Sequence, residues 1–187
     1  MRSLFPLAFG SILVCCSVLS AAEDLRSGCK PGTKMARFPV KAATGPERGK
    51  TLCYVCKSGV KPGVFVFTRK LTPDLVRVVK TLDEQIRGGE GEARDSQERG
   101  AVVVLLDDNT RANVKRLESL ATKERIQIPL AVNARGKTDP PYELNPQVLH
   151  TFVFYKDRAV VKSLAFNTID ARDFRAVAKA TQTTFGR

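Results

Sequence analysis

The chain has 187 residues, 43% hydrophobic and 27% charged, with 31 Lys and Arg against 19 Asp and Glu, a net charge of +12. That apolar content sustains a packed core and excludes a disordered, collagen-like or low-complexity chain, and the length suits one domain with a short appendage. Five cysteines are too few for a disulfide scaffold, and the single histidine, His150, excludes most Ser–His and Cys–His machinery unless it is itself the base.

Arg2 precedes an apolar run from Leu4 to Leu19, and Ser20-Ala21-Ala22 supplies small residues before Glu23-Asp24 opens a polar chain. Residues 1–22 therefore read as a secretory signal peptide cleaved after Ala22. The run is shorter than the roughly 20 residues of a spanning helix, so no membrane span is expected after cleavage. Lipidation at Cys15 or Cys16 is the weaker alternative, because Ile12-Leu13-Val14 lacks the small residue expected ahead of a lipidated cysteine. The mature chain would keep 165 residues, a charge of +11 and three cysteines, Cys29, Cys53 and Cys56. It would be periplasmic or secreted, where disulfides persist.

Residues 23–50 are rich in Gly, Pro, Lys and Arg and read as an extended basic arm, with one short strand near Phe38-Pro39-Val40. Residues 51–187 form the expected domain. Gly63–Phe67 is a short β-rich apolar run, hence a buried strand. Thr72, Pro73 and Asp74 are an N-cap, a first helical residue and a dipole-matched charge. Leu75, Val79, Leu82 and Ile86 follow at helical spacing, and Gly88–Gly91 stops the helix before a charged loop over 90–100.

Ala101–Leu106 has the continuous apolar pattern of a strand covered on both faces. Asp107–Thr110 offers cap chemistry for a second helix burying Val114, Leu117 and Ala121, and Ile128–Val132 is another short strand. The loop over 133–147 holds three prolines. Thr151–Tyr155 and Ala159–Phe166 flank Lys156-Asp157-Arg158 as a β-hairpin, and Thr168 caps a last helix through about Thr183, with Phe174, Val177 and Thr181 inward. Strand–helix–strand units imply parallel pairing, and the hairpin adds antiparallel strands.

This order, from Pro62 to Phe185, resembles the thioredoxin-like fold: an α/β protein with a central mixed β-sheet flanked by helices on both faces. The stretch from Phe38 through Gly45 and the Leu52-Cys53-Tyr54-Val55-Cys56 segment into Val64–Phe67 is similar to the opening of secreted bacterial redoxins. In thioredoxins the Cys-x-x-Cys pair follows the first core strand and opens the next helix. Here Thr68-Arg69-Lys70-Leu71-Thr72-Pro73 stands there, without sulfur. Thr68 and Arg69 echo a peroxidase site that has no nucleophile, and Leu149-His150-Thr151 replaces the fold's cis-proline segment.

Cys53 and Cys56 are thus the candidate catalytic residues, and three readings stay open. As a redox couple, Cys53 would attack as the N-terminal member and Cys56 would resolve, with Lys50 and Lys57 favouring thiolate. Against this, Ser58-Gly59 and Pro62-Gly63 leave no room for a helix starting at Cys53, so activation by a helix dipole is not expected. As structural sulfur, either cysteine would pair with Cys29, or the two with each other. As a metal site, Cys29, Cys53, Cys56 and His150 would supply four ligands, but Cys29 has no close partner cysteine. Haem attachment is excluded, because Lys57 stands where histidine is required.

The leading expectation is thiol–disulfide exchange with protein or small-molecule thiols and disulfides, without cofactor or metal. The alternative is a non-catalytic binding or structural module of the cell envelope. Cys29 reads as a passenger on the arm and His150 as a packed or capping residue. The basic charge is interleaved with acidic residues and lacks stacking aromatics, so nucleic acid is not an expected partner and the excess reads as a solvated surface.

Overall fold

The computed structural model describes residues 25–87, 100–107, 110–136 and 138–186. The expected signal peptide, Cys15, Cys16, the expected stop at Gly88–Gly91 and most of the expected charged loop lie outside the described residues.

Seven strands form one mixed sheet: β1 (Val40–Ala42), β2 (Thr51–Leu52), β3 (Gly63–Thr68), β4 (Gly100–Leu105), β5 (Leu130–Asn133), β6 (His150–Lys156) and β7 (Ala159–Phe166). Their order is β2-β1-β5-β4-β3-β6-β7. β3, β4 and β5 are parallel, β6 runs antiparallel to β3, and β7 closes the hairpin with β6. Every residue of β3 is buried, as its unbroken apolar run requires. Four helices accompany the sheet: α1 (Tyr54–Ser58), α2 (Pro73–Arg87), α3 (Thr110–Glu124) and α4 (Ala171–Phe185).

Strand alternation divides the interior into two layers. Val64, Val66, Val103, Leu105, Phe152 and Phe154 face α2, α3 and α4, meeting Leu75, Leu82, Leu117 and Val177. Phe65, Phe67, Val102, Val104, Val153 and Tyr155 face the other way. The three long helices share one face because β3→β4→β5 steps twice in one direction across the sheet. Two right-handed crossovers in the same direction place both connecting helices on the same side.

The second face carries the short α1 and, beside it, the N-terminal segment. Cys29, Met35, Phe38 and Val40 are buried there, and Phe38 stacks among Phe65, Phe67 and Tyr142 at ring-centroid distances of 5.3, 5.6 and 5.4 Å. The segment expected as an arm is extended, but it roofs an aromatic layer. The Tyr142 hydroxyl donates to the Ala36 carbonyl at 2.5 Å, and the Ser163 hydroxyl to the Cys29 carbonyl at 2.7 Å, pinning this strap to the sheet.

Element ends follow local chemistry. Thr72 caps α2 as expected, its hydroxyl accepting from Leu75 N at 3.2 Å. α4 starts later than Thr168 suggests. Asp170 is its N-cap, in a reciprocal capping box with Asp173. The hairpin turns on Asp157 and Arg158 alone, both in the left-handed region (φ 52° and 61°), between the paired Lys156 and Ala159. Gly63, opening β3, has no space for a side chain: a Cβ there would meet the Gly100 carbonyl and the Tyr155 hydroxyl.

One buried charge ties the helical layer to the sheet. The Asp83 carboxylate of α2 accepts from Gln127 N at 2.9 Å and Ile128 N at 3.2 Å, just before β5, and pairs with Arg87 at 3.3 Å. Asp83→Ala leaves two amides and a guanidinium without their acceptor. The expected loss is about 3 kcal/mol, read as a lower urea midpoint with unchanged m.

Candidate functional site

The chain leaves β2 at Leu52 and turns at Cys53, whose backbone is extended (φ −112°, ψ 108°), into the single-turn helix α1. The helix is a departure from expectation. Ser58-Gly59 leaves room for five helical residues, and Gly59 ends them with φ 63°. Cys53 is the N-cap, and its sulfur accepts the Cys56 N–H at 3.3 Å. The two sulfurs are joined as a disulfide across a Cα separation of 5.3 Å.

Val55 is buried under the sheet's second face and anchors the turn. Helical spacing then points Cys56 and Lys57 to solvent, while Cys53 and Tyr54 remain half-buried. Three further contacts hold α1. Ser58 hydrogen-bonds the Tyr155 hydroxyl. The hairpin tip reaches back, with Asp157 N donating to the Val60 carbonyl at 3.1 Å and Arg158 Nε to the Gly59 carbonyl at 3.3 Å.

The electrostatics differ from the sequence expectation. Lys50 and Lys57 do not stand open beside the sulfurs. Both ammonium groups bind the Glu47 carboxylate, which their hydrogen bonds and charge hold down at about 2. Their pull on a thiolate is correspondingly reduced. Tyr54, next to the disulfide, is pushed up to about 12 by burial and by Glu47, and its hydroxyl has no hydrogen-bond partner among the described residues.

The Thr68–Pro73 turn is a separate place. It lies at the carboxyl end of β3, whereas α1 ends with Ser58 beside Gly100, at the amino ends of β3 and β4. His150, 1% exposed, fills the turn: Nδ1 lies 2.9 Å from the Thr68 hydroxyl and Nε2 3.3 Å from the Thr72 hydroxyl. Arg69 N donates to the Leu149 carbonyl, and Arg69 pairs with Asp139 at 2.7 Å. Burial lowers His150 from 6.5 to about 4, against the opposing charge of Asp74. His150 is a neutral packed residue closing this turn, and no peptide bond in the described residues is cis.

Cys29 forms no disulfide and is buried in the aromatic layer, its thiol pushed up by burial and then by Glu143. The four residues weighed as metal ligands are not brought together. Among the described residues no three His, Cys, Asp or Glu side chains converge as a metal group. Sequence reasoning found both sulfurs but not Glu47, Ser58, Tyr155 or Arg158, which reach the site from other elements. Only the closeness of Glu47 to Lys50 in sequence could have hinted at one of these contacts.

The fold is thioredoxin-like, and it carries a Cys-x-x-Cys disulfide ahead of the first parallel strand. Solved structures match over most of the chain. A candidate protein disulfide isomerase from Bacteroides thetaiotaomicron superposes with a TM-score of 0.61 at 13% identity, covering 86% of this chain and 94% of its own. A candidate thiol:disulfide interchange protein DsbE from Chlorobium tepidum gives 0.60 at 14% identity, covering 84% and 99%. The peroxidoxin BcpB of Mycobacterium tuberculosis gives 0.59 at 17% identity, covering 84% and 96%. No protein-family model and no curated protein sequence matches the chain. At these identities the likeness establishes the fold.

Proposed function

We propose that this is an exported thiol–disulfide exchange protein whose Cys53–Cys56 pair cycles between disulfide and dithiol. The observation that carries this is a closed disulfide within one helical turn, with Cys56 on the surface and Cys53 half-buried behind it. In this reading Cys56, the more exposed sulfur, is the one a partner meets, rather than Cys53. A partner thiolate attacks Cys56 Sγ, forming a mixed disulfide and releasing Cys53 as thiolate, which keeps the hydrogen bond from Cys56 N–H. The partner's second thiolate then attacks its own sulfur in the mixed disulfide and expels Cys56. The partner loses two electrons and two protons and becomes a disulfide, and the pair gains both. Reoxidation requires a second disulfide, on a protein or a small molecule, and the reverse sequence reduces a partner.

Export rests on the apolar run and Ser20-Ala21-Ala22, and a periplasmic or secreted site suits a stable disulfide. Among the described residues no helix is long and apolar enough to cross a membrane. The second reading, a binding or structural module, is favoured by one observation. The Thr68–Pro73 turn holds His150 and two threonines in place of sulfur.

Reduction of a protein disulfide by dithiothreitol separates the two readings. Wild type is expected to accelerate it at least tenfold over Cys56→Ser and Cys53→Ser. Equal rates for all three would leave only the module.

A further inference from the structure

The surface around Cys56 draws cations from three distant parts of the chain. Met35 N donates to the Arg158 carbonyl at 2.8 Å, and Lys34 bridges Ala159, which sets the strap beside the hairpin tip. Asp157 N bonds the Val60 carbonyl and Arg158 Nε the Gly59 carbonyl, which sets the tip beside α1. Lys34, Lys57, Lys61, Lys156 and Arg158 are all exposed there. Among the described residues Asp157 lies at the tip, and Glu47 is already bound to Lys50 and Lys57.

Arg48–Glu118, Arg77–Asp74, Lys80–Glu124 and Arg172–Asp170 form ion pairs elsewhere on the surface. Among the described residues no carboxylate pairs with Lys34, Lys156 or Arg158. Val60, 63% exposed, stands amid them as an unshielded apolar side chain. Arg158 is also held at φ 61°, a conformation that an Asn-Gly turn would adopt without strain. The Arg158 side chain also ties the tip to α1 through the Gly59 carbonyl.

We infer that this surface docks an acidic polypeptide segment, bringing a cysteine flanked by Asp or Glu onto Cys56 and an apolar neighbour onto Val60. The inference rests on the exchange reading for its cysteine but not for its docking. A convergent cationic surface raises the encounter rate of an anionic partner and loses that advantage in salt.

Docking is measured with a fluorescent acidic peptide whose cysteine is replaced by serine, beside a lysine-flanked peptide of equal length. The acidic peptide is expected to bind at least tenfold more tightly at low salt, and the preference to collapse near 0.5 M NaCl, on the order of a 4 Å Debye length. The triple variant Lys34→Glu, Lys156→Glu, Arg158→Glu should lose it, whereas Arg175→Glu with Lys179→Glu on α4 should retain it. Equal binding of the two peptides, or binding to phosphatidylglycerol vesicles without binding to the acidic peptide, would overturn the proposal. Reduction of the native disulfide by dithiothreitol, followed by thiol alkylation, is scored separately. A pair that resists reduction defeats the exchange reading, while the peptide binding still decides the docking surface.

Discussion

Phe38→Ala is expected to cost about 3–5 kcal/mol of folding stability, the range for emptying a large aromatic site that cannot fully collapse. Phe38 is 3% exposed and touches Phe65, Phe67 and Tyr142, two of them on the central strand β3. Rigid sheet rings on one side and a strap held by backbone bonds on the other leave little freedom to close the cavity. Urea unfolding reads the loss directly. A cost below about 1 kcal/mol, the scale of an exposed substitution, would mean that the strap is not part of the folded unit.

Acidification from pH 6.5 to pH 4 is expected to remove about 3 kcal/mol through one residue. His150 titrates near 6.5 when unfolded and near 4 in the folded protein, because burial between Thr68 and Thr72 disfavours its charge. Between those values the unfolded chain binds the proton and the folded chain does not. Stability is thus fully present above 6.5 and falls by about 1.4 kcal/mol per pH unit toward 4. The chain holds no other histidine, so no second imidazole adds to this slope. His150→Asn, which keeps an acceptor and a donor near Thr68, should be less stable at pH 7 yet flatter with pH. Glu47 and Asp170, both lowered in the fold, titrate alike in the two proteins, so the difference between them isolates the imidazole. Parallel profiles for wild type and variant would rule this out.

The regular elements were legible because their patterns are local. The unbroken run Gly63–Phe67, the stripe Leu75, Val79, Leu82, Ile86 and the hairpin around Lys156–Arg158 each signal themselves within a few residues, and all three stand as read. The strap was not legible. Its buried residues Cys29, Met35, Phe38 and Val40 follow no period, since an irregular segment buries side chains wherever the aromatic layer beneath has hollows. α1 was missed for a related reason: Gly59 and Pro62 signal a break, but one helical turn fits before it. The pairing of the sulfurs is open among three cysteines in sequence, and the Cys53–Cys56 disulfide, with Cys29 free, closes it. Sequence also spread the positive charge evenly. Its concentration around Cys56 depends on backbone bonds between residues more than 90 positions apart.

The strap has a consequence for how the chain reaches its fold. Ser27 meets Thr151, Ala36 meets Tyr142 and Cys29 meets Ser163, at separations of 124, 106 and 134 residues. The first described stretch therefore docks only once partners more than 100 positions further along are in place. Until then Phe65, Phe67 and Tyr155 form an open aromatic sheet surface, the kind of exposed apolar area that chaperones bind and that drives aggregation. Loop closure over such spans is slow. The N-terminal segment thus covers an aromatic sheet face that α2, α3 and α4 leave open.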